Sequence, residues 1–125
     1  EKVKLNITAV YNFNQVKQIL KKINKNTKTI ISIFAGRMGD QLKDPIPIFK
    51  KSIAFAKKYK NVEILWASTR ETYNYLQAYQ LGCQIITIPP KIIDQIIKTK
   101  KSYKELTIDT VNGFYKDAKK SKFRI

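Results

Sequence analysis

The chain has 125 residues and 43% hydrophobic content, enough for one domain with a core, and it carries no apolar run long enough to span a membrane and no basic-then-apolar leader pattern at its start. It contains no histidine, which excludes histidine-based triads, zinc sites and histidine proton shuttles within the chain, and its one cysteine, Cys83, excludes an intrachain disulfide. The formal net charge of +16 invites a nucleic-acid partner, but 22 of the 25 basic residues are lysines scattered as on solvated helix faces (Lys17, Lys21 and Lys22; Lys50, Lys51, Lys57 and Lys58), so nucleic acid is not the expected partner.

The pattern alternates strand and helix four times. Leu5–Val10 is a short apolar run with a threonine and reads as a strand; Asn12 to Asn14 form a turn, and Val16, Ile19, Leu20 and Ile23 recur at helical spacing. Thr29–Phe34 is β-branched and apolar throughout, as suits a strand of a parallel sheet. A polar loop is predicted over Gly36 to Pro47, then a helix over Ile48–Tyr59 with Ile48, Ile53 and Phe55 toward the sheet. Val62–Ala67 is the third strand. Arg70–Leu81 follows as a helix with Tyr73, Leu76 and Gln77 on one side, and Gly82 is its stop signal. Gln84–Ile88 is the fourth strand, ended by Pro89 and Pro90. Ile92, Ile93, Ile96 and Ile97 mark a fourth helix, and Thr107 and Asp109 open a terminal helix through Val111, Phe114 and Ala118, at about 107–120. One domain is expected over 1–125.

Repeated βα units imply parallel strands with helices packed outside. No glycine-rich loop follows any strand, so neither a dinucleotide fingerprint nor a P-loop is present, and neither a cofactor nor a metal is expected. A (β/α)8 barrel runs to roughly 250 residues, and four βα units make half of one. A small open α/β sheet fits the pattern equally well.

Barrel chemistry sits at the C-terminal ends of the strands. There, Asn6 and Thr8 share one face of the first strand, either as ligand contacts or as a hydrogen-bonded strand pair. Ser32 and Phe34 share a face of the second, with Gly36 and Arg37 directly after. Ser68 and Arg70 sit where the third strand gives way to a helix, and free N–H groups there favour an anion. Of three arginines, Arg37, Arg70 and Arg124, two thus lie just past strand ends, where the guanidinium fork reads phosphate oxygens; the other reading makes them helix-surface charges.

Four motifs resemble one family in order and spacing. Leu5-Asn6-Ile7-Thr8, Ser32-Ile33-Phe34-Ala35-Gly36-Arg37, Ala67-Ser68-Thr69-Arg70 and Gly82-Cys83-Gln84-Ile85-Ile86-Thr87-Ile88-Pro89 resemble strands five to eight of the transaldolase and fructose-6-phosphate aldolase type. The resemblance implies an α/β fold, the C-terminal half of a (β/α)8 barrel. It implies transfer of a dihydroxyacetone unit between sugar phosphates through a lysine Schiff base, and with it a cytoplasmic enzyme of carbohydrate metabolism in the pentose phosphate pathway. By the same resemblance Asn6 contacts the Schiff-base intermediate, Thr8 helps place the catalytic water, Ser32 bonds substrate hydroxyls, and Arg37, Ser68 and Arg70 grip phosphate. Phe34 matches the aromatic of transaldolases, where aldolase-like relatives tend to carry tyrosine. Ile33 stands where the family has proline, and Thr69 where phenylalanine or a similar group is common.

The family's Schiff-base lysine belongs to an earlier strand. Lys2 and Lys4 do not match its motif, and a lysine near a chain end is too solvated for the required pKa drop. A chain that opens on Glu1 without methionine is expected to be processed or a piece of something longer. Alone, half a barrel would leave a concave face uncovered, with Ser32, Phe34, Ile64, Trp66 and Ile86 on it, and two open sheet edges. The expected partners are therefore the missing N-terminal half-barrel or a second copy of this chain, besides the sugar phosphate. A half that binds phosphate without catalysis, and more remotely a basic nucleic-acid module, are the alternatives.

Overall fold

A computed structural model describes residues 3–122; Lys2 and Arg124 lie outside them. The chain divides into two compact units, 1–94 and 95–125. The first holds β1 (Leu5–Val10), α1 (Phe13–Lys22), β2 (Thr29–Phe34), α2 (Ala35–Gly39), α3 (Ile46–Ala56), β3 (Val62–Ala67), α4 (Tyr73–Leu81) and β4 (Ile85–Ile86). α5 (Pro90–Lys98) begins in the first unit and ends in the second, and α6 (Tyr103–Lys120) lies wholly in the second.

The four strands form one sheet in the order β1-β2-β3-β4, every pair parallel. Each strand is the neighbour of the one before it in the chain, with no reversal of order. That is the winding of a (β/α) barrel; an open doubly wound sheet turns back on itself at a switch point. The main cluster of buried apolar residues lies on one face of the sheet. Ile31 and Ile33 of β2 and Val62, Ile64 and Trp66 of β3 pack there against Val16 and Leu20 of α1, Phe49, Ile53 and Ala56 of α3 and Ala78 of α4. Trp66 stacks on Phe49 with ring centroids 4.6 Å apart, and both are almost fully buried.

The faces of β3 and β4 are opposite to the sequence expectation. Ile64 and Trp66 belong to the helix-covered core and Ile86 packs against it, on the face opposite to that of Ser32 and Phe34. The register explains this. Ser32 pairs with Leu65 and Phe34 with Ala67, so Leu65 and Ala67 share their face, and Ile85, opposite Leu65, joins them. β1 breaks the alternation instead of following it. Asn6, Thr8 and Val10 would all point one way in a regular strand, but the register shifts between Ile7 and Val10, Ala9 takes the left-handed φ of 57°, and Val10 turns into the core at 3% exposure.

Helix boundaries differ where side chains cap them. α1 begins at Phe13 because the Asn12 side chain accepts from Gln15 N at 2.9 Å while Gln15 Oε1 accepts from Asn12 N at 3.1 Å. Part of the predicted Gly36–Pro47 loop is the short helix α2. The loop itself is shorter, and Asp44 Oδ1, accepting from Ile46 N at 2.9 Å, starts α3 two residues early. The buried stripe of α3 is Phe49, Ser52, Ile53 and Ala56; Phe55 turns instead to Phe13, 5.7 Å between centroids. α4 begins at Tyr73, not Arg70, and buries Asn74 and Ala78 while Tyr73 and Leu76 are exposed. It ends at Gly82, whose φ of 78° is free of the Cβ clash that other residues meet there. β4 is only two residues long, because the Gln84 side chain accepts from Ile64 N at 2.9 Å where a strand carbonyl would stand.

In the second unit α6 starts at Tyr103, ahead of the expected Thr107. Ser102 and Glu105 form its capping box, with Ser102 N donating to Glu105 Oε2 at 2.7 Å and Lys101 pairing with Asp109. Among the described residues no helix is long and apolar enough to cross a membrane.

Candidate functional site

A cavity of about 390 Å³ opens at the C-terminal ends of the strands, within the range of small-molecule sites. Asn6 and Thr8 of β1, Ser32 and Phe34 of β2, Arg37 of α2, and Ser68 and Arg70 after β3 all line it. The structure therefore brings together all seven residues singled out from the sequence, from three separate strand ends. Leu65, Ala67 and Thr87 complete the lining. None of those three was expected. The parallel register carried the signal: Leu65 and Ala67 lie opposite Ser32 and Phe34, and Thr87 is two residues beyond Ile85.

Each side chain has a structural reason for its place. Ser32, 3% exposed, donates its hydroxyl to Asn6 Oδ1 at 2.7 Å. That bond takes up the Asn6 amide oxygen and leaves its amide nitrogen as a donor. Phe34 packs edge-on against Tyr11, 5.9 Å between centroids, and Arg37 lies over the Phe34 ring at 5.3 Å. The aromatic face thus holds an arginine that has no carboxylate partner among the described residues.

The turn after β3 is held more tightly. Ser68 takes a left-handed φ of 64°, a conformation costing an L-residue roughly 1–2 kcal/mol, and its Oγ is buried without a hydrogen-bond partner. Thr69, 4% exposed, ties this turn to the next strand by donating to Thr87 O at 2.7 Å. Asn74 Oδ1 accepts from Arg70 N at 2.9 Å and Glu71 N at 3.2 Å. Asn74 thus occupies the amides of Arg70 and Glu71, just ahead of α4.

Gly36 makes the two strand ends fit. A Cβ placed on it would lie 1.8 Å from Ser68 O and 2.8 Å from Arg70 Cγ, so only glycine lets the β2 and β3 turns approach this closely. The head of Arg70 meets Asp40, with Nη2–Oδ2 at 2.7 Å and Nε–Oδ1 at 3.4 Å. That hydrogen bond, aided by the charges of Arg70 and Arg37, holds the Asp40 carboxyl below its usual range. Asp40 escaped notice in the sequence, although it falls three residues after Arg37 in a chain with only nine acidic residues. Cys83 plays no part in the cavity lining, and burial pushes its thiol up to about 12.

Comparison with known proteins shows the family. The family model for Transaldolase/Fructose-6-phosphate aldolase matches residues 1–125. A probable transaldolase of Thermoanaerobacter sp. (strain X514) is 29% identical over 126 residues, covering 100% of this chain and 54% of that protein. One from Syntrophobacter fumaroxidans is 33% identical over 121 residues, 96% of this chain and 51% of the relative. One from Nitrosopumilus maritimus is 28% identical over 124 residues, 98% and 52%. The chain thus spans about half the length of the curated relatives it matches. With the family model matched from end to end, the chain belongs to the transaldolase/fructose-6-phosphate aldolase family.

Proposed function

We propose that this chain supplies the phosphate- and intermediate-binding part of a transaldolase-like aldol transferase, and that its four strands are strands five to eight of a (β/α)8 barrel. The observation that carries the reading is the convergence of Asn6, Thr8, Ser32, Phe34, Arg37, Ser68 and Arg70 on one cavity at the strand ends. Arg37, Ser68 and Arg70 hold the phosphate of a sugar phosphate. Ser32 bonds a substrate hydroxyl, Phe34 forms a wall, Asn6 donates to the covalent intermediate, and Thr8 places the water used in forming and hydrolysing it.

The covalent step belongs to a lysine. Its amine condenses with the ketone carbonyl and water leaves; the iminium then takes up the electron pair of the bond between its α-carbon and the hydroxyl-bearing β-carbon, while that hydroxyl gives its proton to a base and the β-carbon departs as an aldehyde. The resulting three-carbon enamine then attacks the acceptor aldehyde. Among the described residues no lysine lines the cavity, so that amine comes from another part of the barrel. The length of the relatives supports a missing half; a second copy of this chain would close the barrel without supplying a matching lysine.

Borohydride trapping on the full-length protein with fructose 6-phosphate tests the reading. A lysine carrying the reduced adduct is expected, and no trapped adduct would sink it. Arg37→Ala and Arg70→Ala should each weaken phosphate binding by about tenfold or more, the scale of losing a charge-assisted contact. Unchanged affinity in either variant removes that arginine from the grip.

A further inference from the structure

Arg70 is held at three points. Its backbone N–H is bonded to Asn74 Oδ1 at 2.9 Å. Its stem crosses Gly36 so closely that a Cβ there would be 2.8 Å from Arg70 Cγ. Its head is fixed by Asp40, which lies immediately beyond α2 and takes Nη2 at 2.7 Å and Nε at 3.4 Å. A guanidinium has two two-pronged edges, Nε with Nη2 and Nη1 with Nη2. Asp40 occupies the first. The second is left to bind two oxygens of one anion.

We propose that Asp40 is a positioning residue for anion recognition, which orients Arg70 so that its Nη1–Nη2 edge engages the phosphate of the substrate. The proposal rests on the reading of Arg70 as a phosphate ligand. It makes a claim that charge alone contradicts. A carboxylate beside a phosphate site repels the phosphate, so a purely electrostatic account has Asp40→Asn bind more tightly. Orientation acts the other way. An arginine side chain released from its partner recovers rotamer freedom, which must be lost again when ligand binds. Because the Asp40 contact uses the edge that the ligand does not need, the two partners of Arg70 bind together without competing.

The test is inorganic phosphate affinity of the full-length protein, read by 31P line broadening, with kinetics on a phosphorylated acceptor. Asp40→Asn is expected to bind phosphate about fivefold more weakly, the scale of partial loss of arginine preorganisation, and to raise KM with kcat little changed. Asp40→Glu, which can reach the same edge, should recover part of the loss. In the double variant with Arg70→Ala, removing the Asp40 charge should cost nothing further, because its effect passes through Arg70. Phosphate bound equally or more tightly by Asp40→Asn, while Arg70→Ala still binds weakly, overturns the proposal and leaves the phosphate grip standing. Arg70→Ala binding like the parent overturns both. An Asp40→Asn protein unfolded at the assay temperature would assign Asp40 to stability and overturn the positioning role.

Discussion

Replacing Gly36 by alanine should damage the site more than the same change at any other glycine of the chain. The added Cβ would stand 1.8 Å from Ser68 O, and real Cβ atoms do not approach closer than 3.0 Å. One of the two turns must therefore retreat by roughly 1.2 Å, and the close-packed interior around Ala35 and Met38 gives it little room. Overpacking of this kind costs about 1–3 kcal/mol. At a urea m-value of about 2 kcal/mol/M this moves the unfolding midpoint down by about 0.5–1.5 M. Because the retreat separates Arg37 from Ser68 and Arg70, phosphate affinity should fall with it, and a displacement of about 1 Å can cost on the order of a hundredfold in rate. Gly39→Ala is the control. Nothing lies within 4 Å of its Cβ, and a helical alanine is better than glycine by up to about 1 kcal/mol. Urea unfolding followed by circular dichroism, together with phosphate titration, reads both variants. If Gly36→Ala and Gly39→Ala unfold at the same midpoint and bind phosphate alike, the steric account of this junction is wrong.

Four further outcomes are expected. Asn74→Ala strips the acceptor from Arg70 N and Glu71 N; it should cost about 1–2 kcal/mol in urea unfolding, and a cost near zero would mean that the turn is held by other bonds. The Cys83 thiol, which burial keeps neutral up to about 12, should react with iodoacetamide at about pH 8.5 far more slowly in the folded than in the urea-unfolded chain; equal rates would contradict its burial. The same raised value means that stability is complete below the thiol's ordinary 9.0 and declines as pH rises from there toward about 12. Asp40, depressed by its hydrogen bond to Arg70, should stay ionised and paired above its ordinary 3.8 and lose the pairing only as pH falls below it; a carbon-detected NMR titration with a midpoint above 3.8 would refute the contact.

The candidate site was more legible in the sequence than the faces of the sheet that carry it. β1, β2 and β3 coincide with the apolar runs because β-branched residues crowd them and polar turns bound them. Six of the ten lining residues were visible because polar groups and rare arginines stand at strand ends in a chain that otherwise uses lysine, and Phe34 because it shares a face with Ser32. Which side β3 presents was not legible. Ile64, Leu65, Trp66 and Ala67 are all buried and apolar, so only the pairing of Ser32 with Leu65 decides the face. Helix starts were missed where a side chain, not the hydrophobic period, sets them. The Ser102–Glu105 spacing was a readable capping box, whereas the role of Asn74 in holding the turn before α4 depends on a left-handed Ser68 that no local pattern announces. Asp40 was hidden for a similar reason, since its partner lies 30 residues away in sequence.

The consecutive strand order has a consequence for how such a chain is made. Leu5 pairs with Thr29, Thr29 with Val62 and Leu65 with Ile85, so no strand must wait for one far ahead of it. A ribosome adds about 5–20 residues per second, whereas short loops close in well under a millisecond. Each strand leaving the exit tunnel therefore meets a neighbour that is already out, and the sheet can grow by one edge at a time in the direction of synthesis. Doubling a loop's length adds only about 0.6 kcal/mol to its closure, so the uneven crossovers cost this vectorial assembly little.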